Sequence, residues 1–441
     1  MLRYGSMSRV WGGGLGALLV AACTLTTSLD GLTGGAVGPG DGEGGSDGSF
    51  TEGSVADRVE LPGPVGTSTV IATDVGGLFA AGSSQQTHLH YAKNAGQWIL
   101  FYLSEADATH LRARMSRDFA TWTDGAALSL PQPHNKDGRN FAVAYADVGG
   151  RDVFHISLSL KPGNSDRRHH HVRATVDSGA LVYETPTELG KVTLSETTLD
   201  PDGPAVAVLP DGKVFDLAGW YAPDGGTART GNIVSWESTT NDTAASWPST
   251  FAPPFEVEVV DIICNGRALL TTPAGALALW ESADSEPNPT SVNSARYENG
   301  TWRPKDTVGF EKTRFDPNDW GAAALAADVH AVRFAGSTYS HRIFTAGTWH
   351  AGSGIPPRAH PVAQGVVVVT DGSTLLAISL DTDGGVASTS LVNGAWMPWK
   401  TELSGGAMRT QLSGYSGVAG VAVAWVETAG NTKSVVGARL R

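Results

Sequence analysis

A Gly-X-Trp motif returns at a constant interval in the C-terminal third of the chain. It occurs as Gly300-Thr301-Trp302, Gly347-Thr348-Trp349 and Gly394-Ala395-Trp396, so successive tryptophans are 47 residues apart (302 to 349 and 349 to 396). Each copy follows a short run that begins with serine and mixes polar with apolar residues. A repeat of about 40–50 residues built from short strands is typical of a β-propeller, in which each repeat forms one blade. The spacing therefore predicts an all-β propeller whose repeated tryptophans pack one blade on the next.

Strand-like segments extend this pattern over residues 57–441. Six blades are predicted, at residues 88–122, 140–184, 205–237, 255–302, 320–349 and 361–396. The remaining segment Gln411–Arg441 holds three strands, and the fourth is expected from Arg58–Leu61 or Thr69–Ala72 at the other end of the chain. Joining both termini in one blade removes the exposed strand edge that invites aggregation. We therefore expect seven blades, with six or eight as alternatives because the N-terminal repeats depart from the 47-residue period.

The composition and net charge of the chain speak against some classes of function. The 441-residue chain has 55 glycines, only 17% charged residues and a formal net charge of −13. Nucleic-acid binding needs clustered Lys and Arg on the phosphates, so this charge speaks against it. We find no Gly-x-Ser-x-Gly elbow, phosphate loop or Cys-x-x-Cys in the sequence, and we predict no cofactor. The protein is expected to be a monomer.

The N-terminal segment has the features of an export signal. Residues 1–22 combine Arg3 and Arg9 with the short apolar run Val10–Ala22, which is typical of a secretory signal peptide. The run ends in Leu19-Val20-Ala21-Ala22-Cys23, which resembles the lipobox of bacterial lipoproteins. That resemblance implies a lipid on Cys23 and attachment to a membrane. The alternative is a conventional signal peptide cleaved after Ala22.

The residues after Cys23 predict a tether and a location. Thr24 rather than Asp follows the cysteine, and by resemblance to lipoprotein sorting this implies the outer membrane, with the body periplasmic or surface-exposed. Residues 23–56 are rich in Gly, Ser and Asp and cannot form a core, so they predict a disordered linker. The domain organisation is thus signal peptide 1–22, lipid-anchored linker 23–56 and propeller 57–441.

Two short motifs resemble carbohydrate-active propellers. The run Ser116-Arg117-Asp118-Phe119-Ala120-Thr121-Trp122 resembles the Ser-x-Asp-x-x-x-Trp turn of sialidase-like and five-bladed glycosidase propellers, where we expect it to brace the turn. The run Trp396–Gly406 resembles the Trp-rich repeat of seven-bladed bacterial lectins. Sialidases also carry Arg-Ile-Pro near the first strand. Here Ile355-Pro356 lies far downstream and follows Gly354, which speaks against sialidase activity.

Propellers usually bind ligands in the central funnel, where the innermost strands begin. The side chains predicted there are polar or aromatic, a mixture that suits a glycan or another hydroxyl-rich ligand. The ligand-binding candidates are Arg139, Asn140, Trp320, His360, Arg409 and Gln411. The catalytic candidates are Glu256, Asp319 and Asp200, since a glycosidase needs two facing carboxylates. Ordinary turn chemistry explains each of these residues equally well.

Two histidine pairs suggest a metal site. His88 and His90, like His169 and His171, are two residues apart, so each pair shares one face of a strand. Zinc would need a third converging ligand. Because no Cys or carboxylate cluster has suitable spacing, we predict no metal.

Three functions remain open. The first is a cell-envelope lipoprotein whose propeller binds carbohydrate in its funnel. The second is a glycoside hydrolase of sialidase-like architecture, and the third is a protein-interaction scaffold without catalysis. Whether the protein is an enzyme stays open at this point.

Overall fold

The computed structural model describes most of the chain after residue 62. The described residues are 63–77, 80–134, 140–160, 168–191, 202–223, 229–238, 263–283, 289–311, 313–314, 319–359, 362–406 and 408–441. The predicted signal peptide, Cys23 and the linker to residue 56 lie outside them. Regular structure in the described residues is β-strand, with no α-helix, and therefore no helix there could cross a membrane. The predicted all-β class is confirmed.

Seven sheets of three to six strands form the blades, and one two-stranded hairpin stands apart from them. The chain begins with β1 (Ser68–Thr73) and the hairpin strands β2 (Gly82–Ser83) and β3 (Gln86–Thr87). Blade 1 consists of β4 (Leu89–Ala92), β5 (Gln97–Leu103), β6 (His110–Ser116), β7 (Thr123–Asp124) and β8 (Leu128–Ser129). Blade 2 consists of β9 (Phe141–Val148), β10 (Arg151–Leu160), β11 (Arg168–Asp177), β12 (Ala180–Tyr183) and β13 (Thr187–Lys191).

The next three blades follow the same antiparallel plan. Blade 3 consists of β14 (Asp202–Val208), β15 (Val214–Pro223) and β16 (Arg229–Glu237). Blade 4 consists of β17 (Ile263–Thr272), β18 (Gly275–Ala283), β19 (Pro289–Glu298), β20 (Thr301–Trp302), β21 (Asp306–Thr307) and β22 (Thr313–Arg314). Blade 5 consists of β23 (Trp320–Leu325), β24 (Asp328–Ala335), β25 (Thr338–Thr345) and β26 (Thr348–Ala351).

Blade 6 consists of β27 (Val362–Thr370), β28 (Leu375–Asp381), β29 (Val386–Val392), β30 (Ala395–Trp396) and β31 (Lys400–Leu403). Blade 7 takes β32 (Arg409–Gly417), β33 (Gly420–Ala429) and β34 (Thr432–Arg439) from the C-terminus, and β1 adds its outer strand. Thr69 of β1 lies opposite Gly437 of β34, so the prediction of a closing strand at Thr69–Ala72 is confirmed. Seven blades are therefore present.

The Gly-X-Trp repeat links the third strand of a blade to the fourth. Asn299 and Gly300 have φ angles of 51° and 79°, and the other two copies match them, as a type I′ hairpin turn requires. In each copy the tryptophan indole N–H reaches the third strand of the preceding blade. Trp302 donates to Ser235 Oγ (3.1 Å) and Trp349 to Ser294 Oγ (2.9 Å). The prediction that these tryptophans join blades is confirmed.

Blade 4 is described from Ile263 onwards, and residues 255–262, where the blade was predicted to begin, lie outside the described residues. Ile263–Thr272 is its innermost strand and pairs with β18. The pairing is irregular between Ile263 and Arg267, which includes Asn265-Gly266. A bulge absorbs such residues without ending the strand.

The innermost strands begin at one face of the ring, here called the start face, and end at the opposite, far face. Neighbouring innermost strands approach closely where glycine stands. A Cβ atom on Gly321 of β23 would lie 2.5 Å from the Val366 carbonyl oxygen of β27. Close packing of this kind places the backbones of blades 5 and 6 in direct contact.

Candidate functional site

The centre of the ring is occupied by the chain's own hairpin. From Ser83 to His88 every residue is at most 1% exposed. Ser84 Oγ (2.8 Å) and Gln85 Nε2 (2.6 Å) donate to the Trp320 carbonyl of β23. On another blade, Ser413 Oγ of β32 donates to the carbonyl of Ala81 (2.5 Å). The hairpin thus ties together innermost strands from different blades at the start face.

His88 ends the hairpin and contacts blade 2. Its ring lies 3.8 Å from the ring of Phe141, and its two nitrogens lie 3.2 Å from the Ala80 carbonyl and 3.3 Å from the Phe141 carbonyl. Burial lowers the pKa of His88 to about 4. The imidazole is therefore neutral near pH 7, and one of its two nitrogens carries no hydrogen and can only accept a hydrogen bond.

Three predicted ligand residues lie around this hairpin and are buried. Asn140 is 6% exposed, and Trp320 and Gln411 are 0% exposed. The ring of Trp320 belongs to the main core cluster, so it has no open face on which a sugar could stack. Position at a strand start is confirmed for Trp320, while ligand binding by these side chains stays a prediction.

The other two described candidates are engaged in ion pairs. Asp319 Oδ2 accepts from the buried Arg333 guanidinium (3.0 Å from Nε), which also binds Glu281 Oε1 (2.8 Å). Arg409 Nε donates to Glu427 Oε1 (3.2 Å), and its guanidinium lies 4.7 Å from the ring of Trp425. These pairs neutralise the charges near the strand starts. Outside the described residues lie Cys23, Arg139, Asp200, Glu256 and His360.

His169 and His171 do share one strand face, and both contact one carboxylate. His169 Nε2 lies 2.7 Å from Asp216 Oδ1, and His171 Nδ1 lies 3.1 Å from Asp216 Oδ2. Ser157 Oγ also donates to Asp216 (2.6 Å). Burial opposes ionisation of this carboxyl, yet the two histidines hold the pKa of Asp216 below its usual value. This fully buried network joins blades 2 and 3.

A metal site is not evident in the part of the chain that the structure describes. No group of three or more His, Cys, Asp or Glu side chains there could hold an ion. The histidines near Asp216 use their nitrogens in the network just described, and those of the first pair face carbonyls and aromatic rings.

The Ser116–Trp122 turn has the bracing role expected of it. Asp118 Oδ1 accepts from Ser116 Oγ (3.1 Å) and from the backbone N–H of Ala120 (2.9 Å) and Thr121 (2.7 Å). The hydrogen bond from the Thr121 backbone is the main cause that lowers the pKa of Asp118. The carboxylate therefore stabilises the turn rather than reacting chemically.

Two pockets of similar size open on the far face, each between neighbouring blades. The pocket between blades 1 and 2, here called pocket A, has a volume of about 390 Å³. The pocket between blades 4 and 5, here called pocket B, has a volume of about 370 Å³. Each is bordered by a type I′ turn of the second blade, with Gly179 in pocket A and Gly347 in pocket B. Both volumes fall in the usual range for small-molecule sites.

Pocket B combines an aromatic ring with a charged pair. Phe344 is half-buried in its wall and packs on Trp349, with ring centroids 5.3 Å apart. The same pocket is lined by Arg296 and Glu298, and Arg296 Nη1 donates to Glu298 Oε1 (3.1 Å). A Cβ atom on Gly347 would lie 2.2 Å from Arg296 Nη1, so only glycine leaves the guanidinium its place above the turn.

Pocket A is more polar. Its walls include Gln97, Arg117, Thr121 and Asp124, and the small residues of its floor include Gly125. Gln97 is 7% exposed, and its Oε1 has no hydrogen-bond partner among the described residues. Arg117 is exposed and forms no ion pair with any of them. A buried amide oxygen without a partner inside a pocket points to a ligand or solvent position.

Neither pocket was predicted. Each takes its side chains from two blades that are separated in sequence, and the repeated tryptophans directed attention to packing instead. For pocket B the sequence does offer a signal, which is the repeated spacing of the turn glycines. Arg296 precedes Gly300 by four residues, and Gly347 follows Gly300 by 47 residues.

Comparison with known proteins gives a likeness to solved propellers at low identity. No protein-family model matches the chain, and no curated protein matches it in sequence. A polysaccharide lyase structure is 10% identical with a TM-score of 0.49, covering 86% of this chain and 100% of that one. A Trypanosoma rangeli sialidase with an inhibitor is 12% identical with a TM-score of 0.43, covering 72% of this chain and 56% of that one. A fucose-specific lectin from Aleuria aurantia is 11% identical with a TM-score of 0.38, covering 67% of this chain and 94% of that one.

Proposed function

We propose that the protein is a non-catalytic carbohydrate-binding propeller of the cell envelope, with pocket B as its binding site. The observation that carries this proposal is the composition of pocket B, which is lined by the aromatic ring of Phe344 and by the Arg296–Glu298 pair. The sequence hypothesis of carbohydrate binding is kept, but its location moves from the central funnel to the far face.

The chemistry of pocket B suits a neutral sugar. A pyranose has apolar C–H faces and a rim of hydroxyl groups, so it needs one apolar wall and a few polar groups that fix its orientation. Phe344 supplies the wall. Arg296 offers donors and Glu298 offers acceptors at the rim, and both side chains are partly solvent-accessible, with 35% and 24% exposure. The charged pair makes hydrogen bonds to hydroxyls stronger than neutral partners would.

The described residues give little support to the glycosidase alternative. Asp319, the one catalytic candidate that is described, accepts hydrogen bonds from Arg333 within a buried pair. Asp319 is only 5% exposed, which leaves its carboxylate little surface for contact with a sugar. Glu281, the second carboxylate nearby, binds the same guanidinium. Neither side chain is available to protonate a leaving group or to attack a sugar.

A glycan array with the purified chain tests the proposal. We expect binding to neutral glycans, and we expect Phe344→Leu to weaken it about tenfold or more because the apolar wall is reduced. The matched control is Phe334→Leu, since Phe334 is also half-buried in blade 5 and packs on the same core cluster but lies outside pocket B. An array with no bound glycan would favour the interaction-scaffold alternative. An equal loss of glycan affinity in both variants would show that the glycan does not bind in pocket B.

The envelope location is part of the proposal and rests on the lipobox resemblance at Cys23. The described body begins next to the far face, where Arg439 Nη1 donates to the Gly63 carbonyl (3.3 Å). We expect labelled palmitate to be incorporated by the wild-type chain expressed in a Gram-negative bacterium and to be absent from Cys23→Ser. Equal labelling of both chains, or of neither, would show that Cys23 does not carry the lipid.

A further inference from the structure

We infer that pocket A is a second saccharide site, which takes an acidic sugar through its carboxylate. This inference rests on the proposed carbohydrate-binding function and extends it to a different pocket and a different sugar class. It is carried by two side chains, Arg117 and Gln97, that project into one space and have no partner there among the described residues.

The two side chains converge on one point. Gln97 Nε2 lies 3.5 Å, and Arg117 Nη2 lies 3.8 Å, from the position that a Cβ atom on Gly179 would occupy. Glycine at 179, with φ of 82°, leaves that position empty of side-chain atoms. A side chain at position 179 would crowd both nitrogens, so glycine keeps the space beside them open to a ligand. Two donors that border one open space can bind the oxygens of a single anionic group after side-chain rotation.

The acidic residues of the pocket are already engaged. Asp118 Oδ1 accepts three hydrogen bonds within its turn, and Asp124 Oδ1 pairs with Arg114 Nη1 (3.2 Å). Arg117 is therefore the cation whose charge remains uncompensated by contact with a described residue. A carboxylate on a ligand would complete the set, because a planar guanidinium binds carboxylates through two parallel hydrogen bonds.

Gln97 distinguishes a sugar acid from a simple anion. Its Oε1 is an acceptor, so it requires a donor such as a ligand hydroxyl. A uronic acid carries a carboxylate and hydroxyls on one ring, and thereby meets both Arg117 and Gln97. An inorganic anion meets only the first. The chemical class assigned to pocket A is therefore a hydroxylated carboxylate of sugar size.

Titration calorimetry of the full chain with D-glucuronate, D-glucose and sodium sulfate tests this assignment. We expect D-glucuronate to bind and to lose about tenfold in affinity in Arg117→Gln and in Gln97→Leu. The matched control is Arg151→Gln, which removes the same charge from an exposed position on the far face outside pocket A. We also expect binding to weaken when salt is raised from 0.05 M to 0.5 M, since the contact is between charges.

The outcomes separate this inference from the proposed function. Unchanged D-glucuronate affinity in Arg117→Gln, or an equal loss of affinity in Arg151→Gln, overturns the pocket A assignment. Loss of neutral-glycan binding in Phe344→Leu would still support pocket B in that case. Sulfate binding as tight as D-glucuronate binding overturns the sugar-acid class. If Phe344→Leu leaves neutral-glycan binding intact while Arg117→Gln abolishes D-glucuronate binding, the proposed function at pocket B fails and pocket A stands.

Discussion

Replacing His88 by glutamine should make the folded protein less sensitive to acid. His88 lies at the centre of the ring, fully buried against Phe141 and two backbone carbonyls. Its pKa is lowered by burial from 6.5 to about 4 in the folded state. As pH falls, the unfolded chain therefore binds a proton before the folded chain does. The stability that neutral His88 provides is fully present above about pH 6.5 and is lost as pH falls towards 4.

The size of this effect follows from the two pKa values. Between pH 7.5 and pH 5, linkage with 6.5 for the unfolded chain and about 4 for the folded chain gives a loss of about 2 kcal/mol from this one side chain. Glutamine keeps an amide that can donate to one carbonyl, but it does not titrate. The variant is expected to be less stable at pH 7.5 and to lose about 2 kcal/mol less than wild type on going to pH 5.

Urea unfolding of wild type, His88→Gln and the control His350→Gln at both pH values measures this difference. His350 is exposed on the outer strand of blade 5, away from the central hairpin, so His350→Gln is the matched control for the substitution itself. The urea dependence of the unfolding free energy must be the same in all three proteins for the comparison to hold. An identical loss of stability between pH 7.5 and pH 5 in wild type and His88→Gln would refute the reasoning.

The same denaturation assay checks two further features. Gly321→Ala should lower the free energy of unfolding by about 1–3 kcal/mol, because its Cβ atom would overlap the Val366 carbonyl. The control Gly354→Ala meets no atom within 4 Å and should stay within about 0.5 kcal/mol of wild type. Equal effects of the two substitutions would contradict the close approach of blades 5 and 6. Trp349→Phe should lower the free energy of unfolding by about 1 kcal/mol or more, because the indole hydrogen bond to Ser294 is lost. Adding Ser294→Ala to this variant should lower it little further. Fully additive losses would show that the hydrogen bond does not couple the blades.

The architecture could be predicted because it depends on short sequence motifs and on their spacing. The 47-residue spacing of the tryptophans reflects one type I′ turn per blade, and each indole reaches the preceding blade at the same relative position. The closing strand at Thr69–Ala72 was predictable because a three-stranded last blade needs a partner. Both features depend on residues that are close in sequence or on a count of strands.

The centre of the ring could not be predicted in this way. The hairpin at Gly82–Thr87 is polar yet buried, because Ser84 and Gln85 donate to the Trp320 carbonyl and Gln86 donates to the Phe141 carbonyl on distant innermost strands. The expectation of an open funnel followed from the usual form of propellers. Trp320 and Gln411 are buried as a consequence, although their positions along the strands were close to those expected.

The pockets escaped prediction for a related reason. Phe344 and Arg296 are 48 residues apart and become neighbours only when blades 4 and 5 pack (296 to 344). Gly179 and Arg117 are likewise joined only by the contact of blades 1 and 2. The repeat spacing located the turns and the tryptophans that join blades, but it did not show which other side chains would meet in the space between two blades.

A crystal structure of the chain soaked with the neutral glycan that binds best on the array is the most direct test of the central claim. We expect electron density for a sugar ring against Phe344, with hydroxyls within about 3.2 Å of the Arg296 or Glu298 side chain. Density at the start face around the central hairpin would contradict it, as would density elsewhere on the propeller with pocket B left unoccupied by the glycan.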